Sequence, residues 1–354
     1  MAIKSDNTKG NPYHQEGTGK FTSADGSGES TTETITQSMK IDLSGLFADD
    51  SASDGEDLGS LLNAVETEIA NKPKPVTEMS TQELLAEIKT AGDKIINDYG
   101  CVCNQGFTEV FGHDLQLTCA NVRQIENILS TYDINVSGME IIGKRISSNT
   151  FAQIDNAWRG DAWTDTLTIT ANVDMVFNSN KYTSYDNLKA SQKHQQEVKY
   201  SVQTDEQHIV SKSATHELGH VLFGNLYIED IRKSNPNVQS GNVNSGTITQ
   251  FAASEGKNSF GLDKRQFRSL ANKKEDNFFD SCRKEIYQIY QNDNPDNQMS
   301  YKEFIVSVSG YGATRVHEWL AECFASLNCG KPTKIANAMY KYLEQKGKVR
   351  KHDN

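Results

Sequence analysis

The chain has 354 residues, and 47 acidic against 36 basic side chains give it a net charge of -11. This acidic balance, without any cluster of Lys and Arg, argues against nucleic acid as a partner, because phosphate binding requires clustered positive charge. No run of about 18 apolar residues is present, so we expect no membrane-spanning segment and no membrane partner.

Residues 1–75 are predicted to form a disordered tail. The stretch "TGKFTSADGSGESTTETITQS" is rich in Gly, Ser, Thr and acidic residues. Such a composition buries too little apolar surface to offset the entropy lost on ordering. Two short apolar segments interrupt the tail, at 39–47 and 58–70. Each is either a transient helix in a linker or a docking segment for a partner protein.

The six cysteines form neither a CxxC pair nor a dense framework, and the first ten residues lack the apolar segment of a secretory signal. We therefore expect no signal peptide and reduced thiols. Cys101 and Cys103 are separated by one residue, which makes them weak candidates for metal ligands.

The part from 76 to 354 is predicted to be one α+β domain with a small mixed sheet and a mostly helical C-terminal half. Ser80 and Glu83 predict a capping box at the start of a helix. Strands are predicted at 139–146 and 166–178, and alternation in the second indicates a half-buried or edge strand. Further helices are predicted at 121–132, 184–202, 204–224, 264–292, 314–327 and 333–346.

The predicted helix 204–224 has its own start and stop signals. Thr204 and Gln207 predict a capping box at its beginning, and Gly224 with Asn225 predicts its end.

The segment "SATHELGHVLFGN", residues 213–225, carries the pattern His-Glu-x-x-His. His216 and His220 lie four residues apart, so a helix directs both imidazoles to one side, where they can bind one ion. Glu217 lies about 100° around the helix and can act on a water molecule without being a ligand. Gly219 is a small residue at which we expect a strand to pass close to the helix.

A third ligand is needed, and the sequence excludes one common arrangement. A metzincin would have Gly and His where this chain has Phe223 and Tyr227. Glu229 and Asp230 follow the histidines so closely that the chain could not readily fold back to the ion.

The segment "SGYGATRVHEWLAECFASLNCG", residues 309–330, offers better carboxylates. Glu318 and Glu322 lie four apart on a predicted helix with apolar neighbours, and buried carboxylates require a cation. A metal ion would satisfy Glu318, and a metal-bound imidazole would satisfy Glu322. His317 is a rival ligand, although it points about 100° away from Glu318.

Together these two motifs resemble the gluzincin metalloproteases of the anthrax lethal factor type, over about residues 165–330. The resemblance implies a zincin-like fold in which an edge strand, here around 167–177, receives the substrate. It implies that Glu318 is the third zinc ligand, that Glu322 orients a ligating histidine, and that the Tyr311 hydroxyl stabilises the oxyanion. The chain departs from this family by a longer insert between the motifs, at about 226–300.

The segment "NPYHQEGTGKFTSADG", residues 11–26, is similar to a short element found in virion-associated proteins of tailed bacteriophages. This resemblance implies a phage-encoded protein that is located in the virion or in the host cytoplasm. The tail would then dock to a virion or host protein.

The leading hypothesis is a zinc endopeptidase that binds one Zn²⁺ per chain and acts on a protein or peptide substrate. Glu217 would serve as general base and then as general acid. The alternatives are a phage virion structural or interaction protein that carries a zincin-like domain, and a metalloprotease toxin that acts on a host protein. A structural protein would need the ligands but not Glu217.

Overall fold

The computed structural model describes residues 73–158, 169–234, 240–243, 264–296, 299–330 and 333–350. The predicted tail, 1–75, lies almost entirely outside these ranges, and so do its two apolar segments and the phage-like element. The predicted domain, 76–354, contains all the elements described below.

The sheet is mixed and small, as predicted. In the described part of the chain it has four strands: β1 (Glu140–Lys144), β2 (Ala152–Trp158), β3 (Ile169–Asn178) and β4 (Ser240–Val243). β3 pairs with β1 in parallel and with β2 in antiparallel orientation, and β4 extends the sheet in parallel with β3. The fold is therefore α+β with helices as its main component.

The prediction that residues 167–177 form an edge strand is wrong, because β3 is paired on both sides. Alternation alone suggested one exposed face. In the described half of the strand, however, Met175 and Phe177 are buried on one face and Val176 and Asn178 on the other. Among the described strands, β2 lies at an edge of the sheet. Leu167 lies outside the described residues.

Nine helices are described, and those predicted near 264–292, 314–327 and 333–346 are confirmed. The Ser80 capping box is also present, with the Ser80 hydroxyl accepting from Glu83 N–H. Among the described residues, no helix is long and apolar enough to span a membrane. The helices are α1 (Thr81–Asn97), α2 (Phe107–Val110), α3 (Leu115–Thr131), α4 (Tyr185–Glu197), α5 (Lys212–Ser234), α6 (Lys264–Asp293), α7 (Tyr301–Val306), α8 (Val316–Cys329) and α9 (Lys334–Gln345).

Both predicted ends of the helix that carries His216 and His220 are wrong. α5 begins at Lys212, after a short 3₁₀ turn at Glu206–His208, and Thr204 instead accepts a hydrogen bond from Gln196 at 2.9 Å. At the other end, the helix continues through Gly224 to Ser234. Three apolar residues beyond Gly224 are buried, so packing outweighs the local stop signal: Leu226, Tyr227 and Ile228.

α5 lies at the centre of the domain, in contact with α3, α6, α8 and β2. Its closest neighbour is α8. A Cβ atom added at Gly219 would lie 3.1 Å from the Cα of Ala321 and 3.2 Å from the ring of Phe324. Gly219 thus permits a close approach, as predicted, but the approaching element is a helix and not a strand.

We expect Gly219→Ala to destabilise the protein. Overpacking typically costs about 1–3 kcal/mol, which exceeds the gain of about 1 kcal/mol from the higher helix propensity of Ala. Chemical denaturation should show a lower free energy of unfolding. The control Asn337→Ala introduces Ala at an exposed position of α9 and should change stability by less than about 0.7 kcal/mol. A more stable Gly219→Ala protein would contradict this interpretation of the helix contact.

Candidate metal centre

One turn of α5 directs two histidines at a common point. The Nε2 atoms of His216 and His220 lie 3.1 Å apart. The helix is buried around them, with Leu218, Val221 and Leu222 fully inaccessible to solvent. Because the backbone of α5 is enclosed by packing, the Cα positions from which the two imidazole side chains extend are fixed.

α8 supplies a carboxylate to the same point. Glu318 Oε2 lies 3.2 Å from Nε2 of His216 and 3.3 Å from Nε2 of His220. Among the described residues, these three side chains form the one group of His, Cys, Asp or Glu that is compact enough to hold a metal ion. The structure therefore brings together the three ligands predicted from the sequence.

The three distances fit a tetrahedral ion. Zinc binds nitrogen and oxygen at about 2.0–2.1 Å, and neighbouring ligand atoms of such a tetrahedron lie about 3.3 Å apart. The ligand atoms of His216, His220 and Glu318 are separated by 3.1–3.3 Å. The side chains are already at the required spacing.

His216 lies between two carboxylates, one beside each ring nitrogen. Its Nδ1 lies 2.9 Å from Glu322 Oε1, and its Nε2 lies 3.2 Å from Glu318 Oε2. Burial lowers the pKa of the His216 ring, but the hydrogen bonds to Glu318 and Glu322 outweigh it and raise the pKa to about 9.

Glu322 is fully buried and has partners for both oxygens. Oε1 accepts from His216 and contacts the ammonium group of Lys212, and Oε2 accepts from the backbone N–H of Val202 at 3.0 Å. Burial alone would raise the pKa of this carboxyl, but Lys212 and His216 hold it below its usual range. Glu322 therefore lies where the resemblance placed it, in contact with a ligating histidine.

Lys212 is a site residue that the sequence analysis missed. It is 6% exposed and reaches the same carboxylate as His216. A signal was present, because Lys212, His216 and His220 recur every four residues and so share one face of α5. A lysine in an apolar context beside a metal motif is a candidate counter-ion for a buried carboxylate.

Glu217 is buried, 7% exposed, and borders the same cavity as the histidines. Burial raises the pKa of its carboxyl, and the neighbouring His216 and His220 oppose that shift. The carboxyl group is not one of the three clustered ligands. This position suits a group that transfers protons.

The ring of Tyr311 lies beside the ring of His216, with 5.8 Å between the two centroids. Its backbone N–H donates to the carbonyl of Tyr200 at 2.8 Å, which fixes the turn before α8. Burial and the Glu318 carboxylate raise the pKa of Tyr311 far above its usual range. The phenol thus remains a hydrogen-bond donor that borders the cavity.

The cavity has a volume of about 740 Å³. Its walls come from β2 with the residues before it, from α5, from α6 and from the segment that begins at Tyr311. Asn178 helps to shape one wall, because its side-chain amide donates to the carbonyls of Ser147 and Thr150. A volume of this size accommodates several side chains of a bound ligand.

The other candidate ligands considered from the sequence are not part of the three-residue cluster. His317 contacts the other oxygen of Glu318, at 3.4 Å, and is not part of the cluster. Glu229 pairs with Lys348 at 2.6 Å. Burial raises the pKa values of Cys101 and Cys103 to about 12 and about 11, which disfavours the thiolate that a metal would bind.

No family model matches the chain, and comparisons with curated proteins and with solved structures find no match either. The chemistry of the site is then the basis for a proposal about function.

We expect Lys212→Met to destabilise the folded protein strongly. The substitution keeps an unbranched side chain but leaves the Glu322 carboxylate buried with one cation fewer. Breaking a buried ion pair in this way typically costs about 3–5 kcal/mol. The measurement is the free energy of unfolding from urea titration.

The matched control is Lys341→Met, which removes an exposed partner of Asp293. Exposed pairs contribute about 0–1 kcal/mol, so this variant should unfold nearly as the wild type does. Equal stability of the two variants would contradict the role assigned to Lys212.

Proposed function

We propose that the protein is a zinc-dependent endopeptidase that binds one Zn²⁺ per chain, with a gluzincin-like ligand set in a zincin-like fold. One observation carries the proposal. Two imidazole nitrogens and one carboxylate oxygen lie 3.1–3.3 Å apart in a large cavity that Glu217 also borders. Two His and one carboxylate are a ligand set that catalytic zinc uses, with a position left for water or substrate.

His216, His220 and Glu318 would hold the ion. When bound, zinc supplies Lewis acidity, which makes water a better nucleophile at neutral pH and polarises a peptide carbonyl. Glu322 and Lys212 would act on the ion indirectly, through His216. They fix the His216 ring and direct its Nδ1 proton away from the ion, which leaves Nε2 free to ligate.

Glu217 acts as the general base. Its carboxylate accepts a proton from the water molecule that attacks the carbonyl carbon. The same group then donates that proton to the amide nitrogen as the C–N bond breaks. Its burial favours this exchange, because a carboxyl group of raised pKa binds the proton more readily than an exposed one.

Tyr311 stabilises the oxyanion that forms when water adds to the carbonyl. Its hydroxyl is protonated and borders the cavity beside His216. A neutral donor fixed next to a developing negative charge lowers the barrier without a cost of reorganisation.

β2 is the strand that borders the cavity, through Ala152 and Ile154. A peptide substrate would lie along this strand and above α5, by the backbone pairing that extended peptides use. β2 therefore takes the role that the sequence analysis assigned to residues 167–177.

Experiments on zinc binding and cleavage distinguish this proposal from two alternative functions. A virion structural or interaction protein would bind zinc and cleave nothing, and a toxin would cleave a host protein. The phage origin and the place in the virion or host cytoplasm stay predictions from residues 11–26.

We expect Glu217→Gln to abolish peptide cleavage while zinc stays at about one per chain. Loss of a general base typically reduces the rate by about 10²–10⁴, whereas the three ligands are untouched. Metal analysis and cleavage of a broad peptide library provide the two measurements. The control Glu229→Gln changes the same residue type elsewhere on α5 and should retain cleavage.

If zinc-loaded wild type cleaves no peptide in such a library, the protease proposal is wrong and a structural or binding role is favoured. If Glu217→Gln cleaves as well as wild type does, Glu217 is not the base.

We expect Glu318→Ala to weaken zinc binding by more than about a hundredfold, because even removal of a residue that only orients a ligand typically costs 10–100-fold in metal affinity. Competition with a chromophoric chelator measures the affinity. His317→Ala removes the adjacent rival and should bind zinc nearly as the wild type does. The reverse result, with His317→Ala weak and Glu318→Ala tight, would reassign the third ligand.

A further inference from the structure

The cavity extends past the histidines toward α6. Three turns of helix border this end: Phe223 and Gly224 lie one turn after His220 on α5, and Glu275 and Phe279 lie one turn apart on α6. None of these residues takes part in the proposed chemistry, so this end of the cavity is free to bind another part of a substrate.

The walls of this end are aromatic and fixed. Phe223 and Phe279 are buried, 2% and 6% exposed. The ring of Phe279 lies 5.9 Å from that of Tyr227, and the ring of Phe223 lies 6.3 Å from that of Tyr342. These contacts tie α6 and α9 to α5, so the pocket exists before any ligand binds.

Glu275 supplies the polar group of the pocket. It is half-buried, and among the described residues it makes no hydrogen bond or ion pair. Burial raises the pKa of its carboxyl to about 7, and His317 opposes that shift. Burial disfavours the charged form of this carboxyl group, and a cation supplied by a ligand would offset that cost.

We infer that this end of the cavity is a specificity subsite for a long cationic side chain, Lys or Arg, close to the scissile bond. The inference rests on the proposed peptidase function. The methylene groups of the substrate side chain would pack between the rings of Phe223 and Phe279. The charged group would form an ion pair with Glu275.

The other charges of the cavity support this assignment. Glu217 and Glu318 are committed to catalysis and to the metal. Asp276 and Arg315 border the cavity with exposed side chains, where water screens them. Glu275 is thus the acidic group on the inner wall that can select a substrate by charge.

The test compares two peptides that differ at one position. One carries Lys at the preferred site found by library cleavage, and the other carries norleucine, which has the same methylene stem without the charge. We expect wild type to prefer the Lys peptide, and Glu275→Gln to lower kcat/KM for it by about a hundredfold. Cleavage of the norleucine peptide should change less than about threefold.

Two further variants sharpen the result. Glu285→Gln neutralises another carboxylate of α6, which pairs with Lys346 away from the cavity, and it should leave both rates unchanged. Glu275→Lys reverses the charge of the pocket and should shift the preference to peptides with Glu at this position. Zinc content should remain at about one per chain in all these variants.

Failure of this inference and failure of the peptidase proposal give different results. If wild type cleaves peptides with no preference for Lys or Arg, or if Glu275→Gln leaves the preference intact, the subsite is wrong and the peptidase stands. Binding to the zinc-loaded Glu217→Gln protein, measured by fluorescence anisotropy with two peptide mixtures that carry Lys or norleucine at one fixed position among randomised neighbours, needs no known cleavage site and supplies the other comparison. Selective binding of the Lys mixture that depends on Glu275, without cleavage by wild type, supports the subsite and rejects the peptidase. Equal binding of both mixtures, without cleavage, rejects both.

Discussion

The site depends on how closely α8 approaches α5 at Gly219. An added methyl group there would meet the backbone of Ala321 at 3.1 Å, so any larger residue would hold the helices apart. Glu318 and Glu322 lie three residues before and one after Ala321, and both must reach His216 across this gap. Their contacts of 3.2 and 2.9 Å leave little room for adjustment. A separation larger by about 1 Å would remove both interactions, because hydrogen bonds at such distances are lost beyond about 3.5 Å.

The parts of the site that follow helical periodicity could be predicted from the sequence. His216 with His220, and Glu318 with Glu322, recur at four residues, and that spacing places each pair on one face of a helix in almost any fold. The Ser80 capping box could be predicted for a similar reason, since its bonds join residues three apart. Predictions of this kind need no knowledge of what packs against the element.

The remaining features depend on tertiary packing, which the local pattern does not contain. β3 alternates like an edge strand, yet it is central because β1, β2 and β4 all pair with it. Gly224 is a typical stop signal, yet α5 continues because buried residues follow it. The four-residue spacing places Lys212 on the face of α5 that carries the histidines, but its pairing with Glu322, 110 positions away, could not be predicted. The role of Glu275 could not be predicted either, because it depends on a neighbour about 40 positions away.

The contact between His216 and Glu318 joins residues that are 102 positions apart, and the hydrogen bond between Val202 and Glu322 spans 120. During synthesis, the chain therefore carries both histidines long before Glu318 is added. A nascent chain in that state has two ligands, no carboxylate to complete the set, and no α8 to support the His216 ring. Under the proposed function, the chain becomes a peptidase only after α8 has been made and has packed on α5. If the protein is the proposed peptidase, this delay would spare the unfinished chain, and the proteins beside it, from premature cleavage.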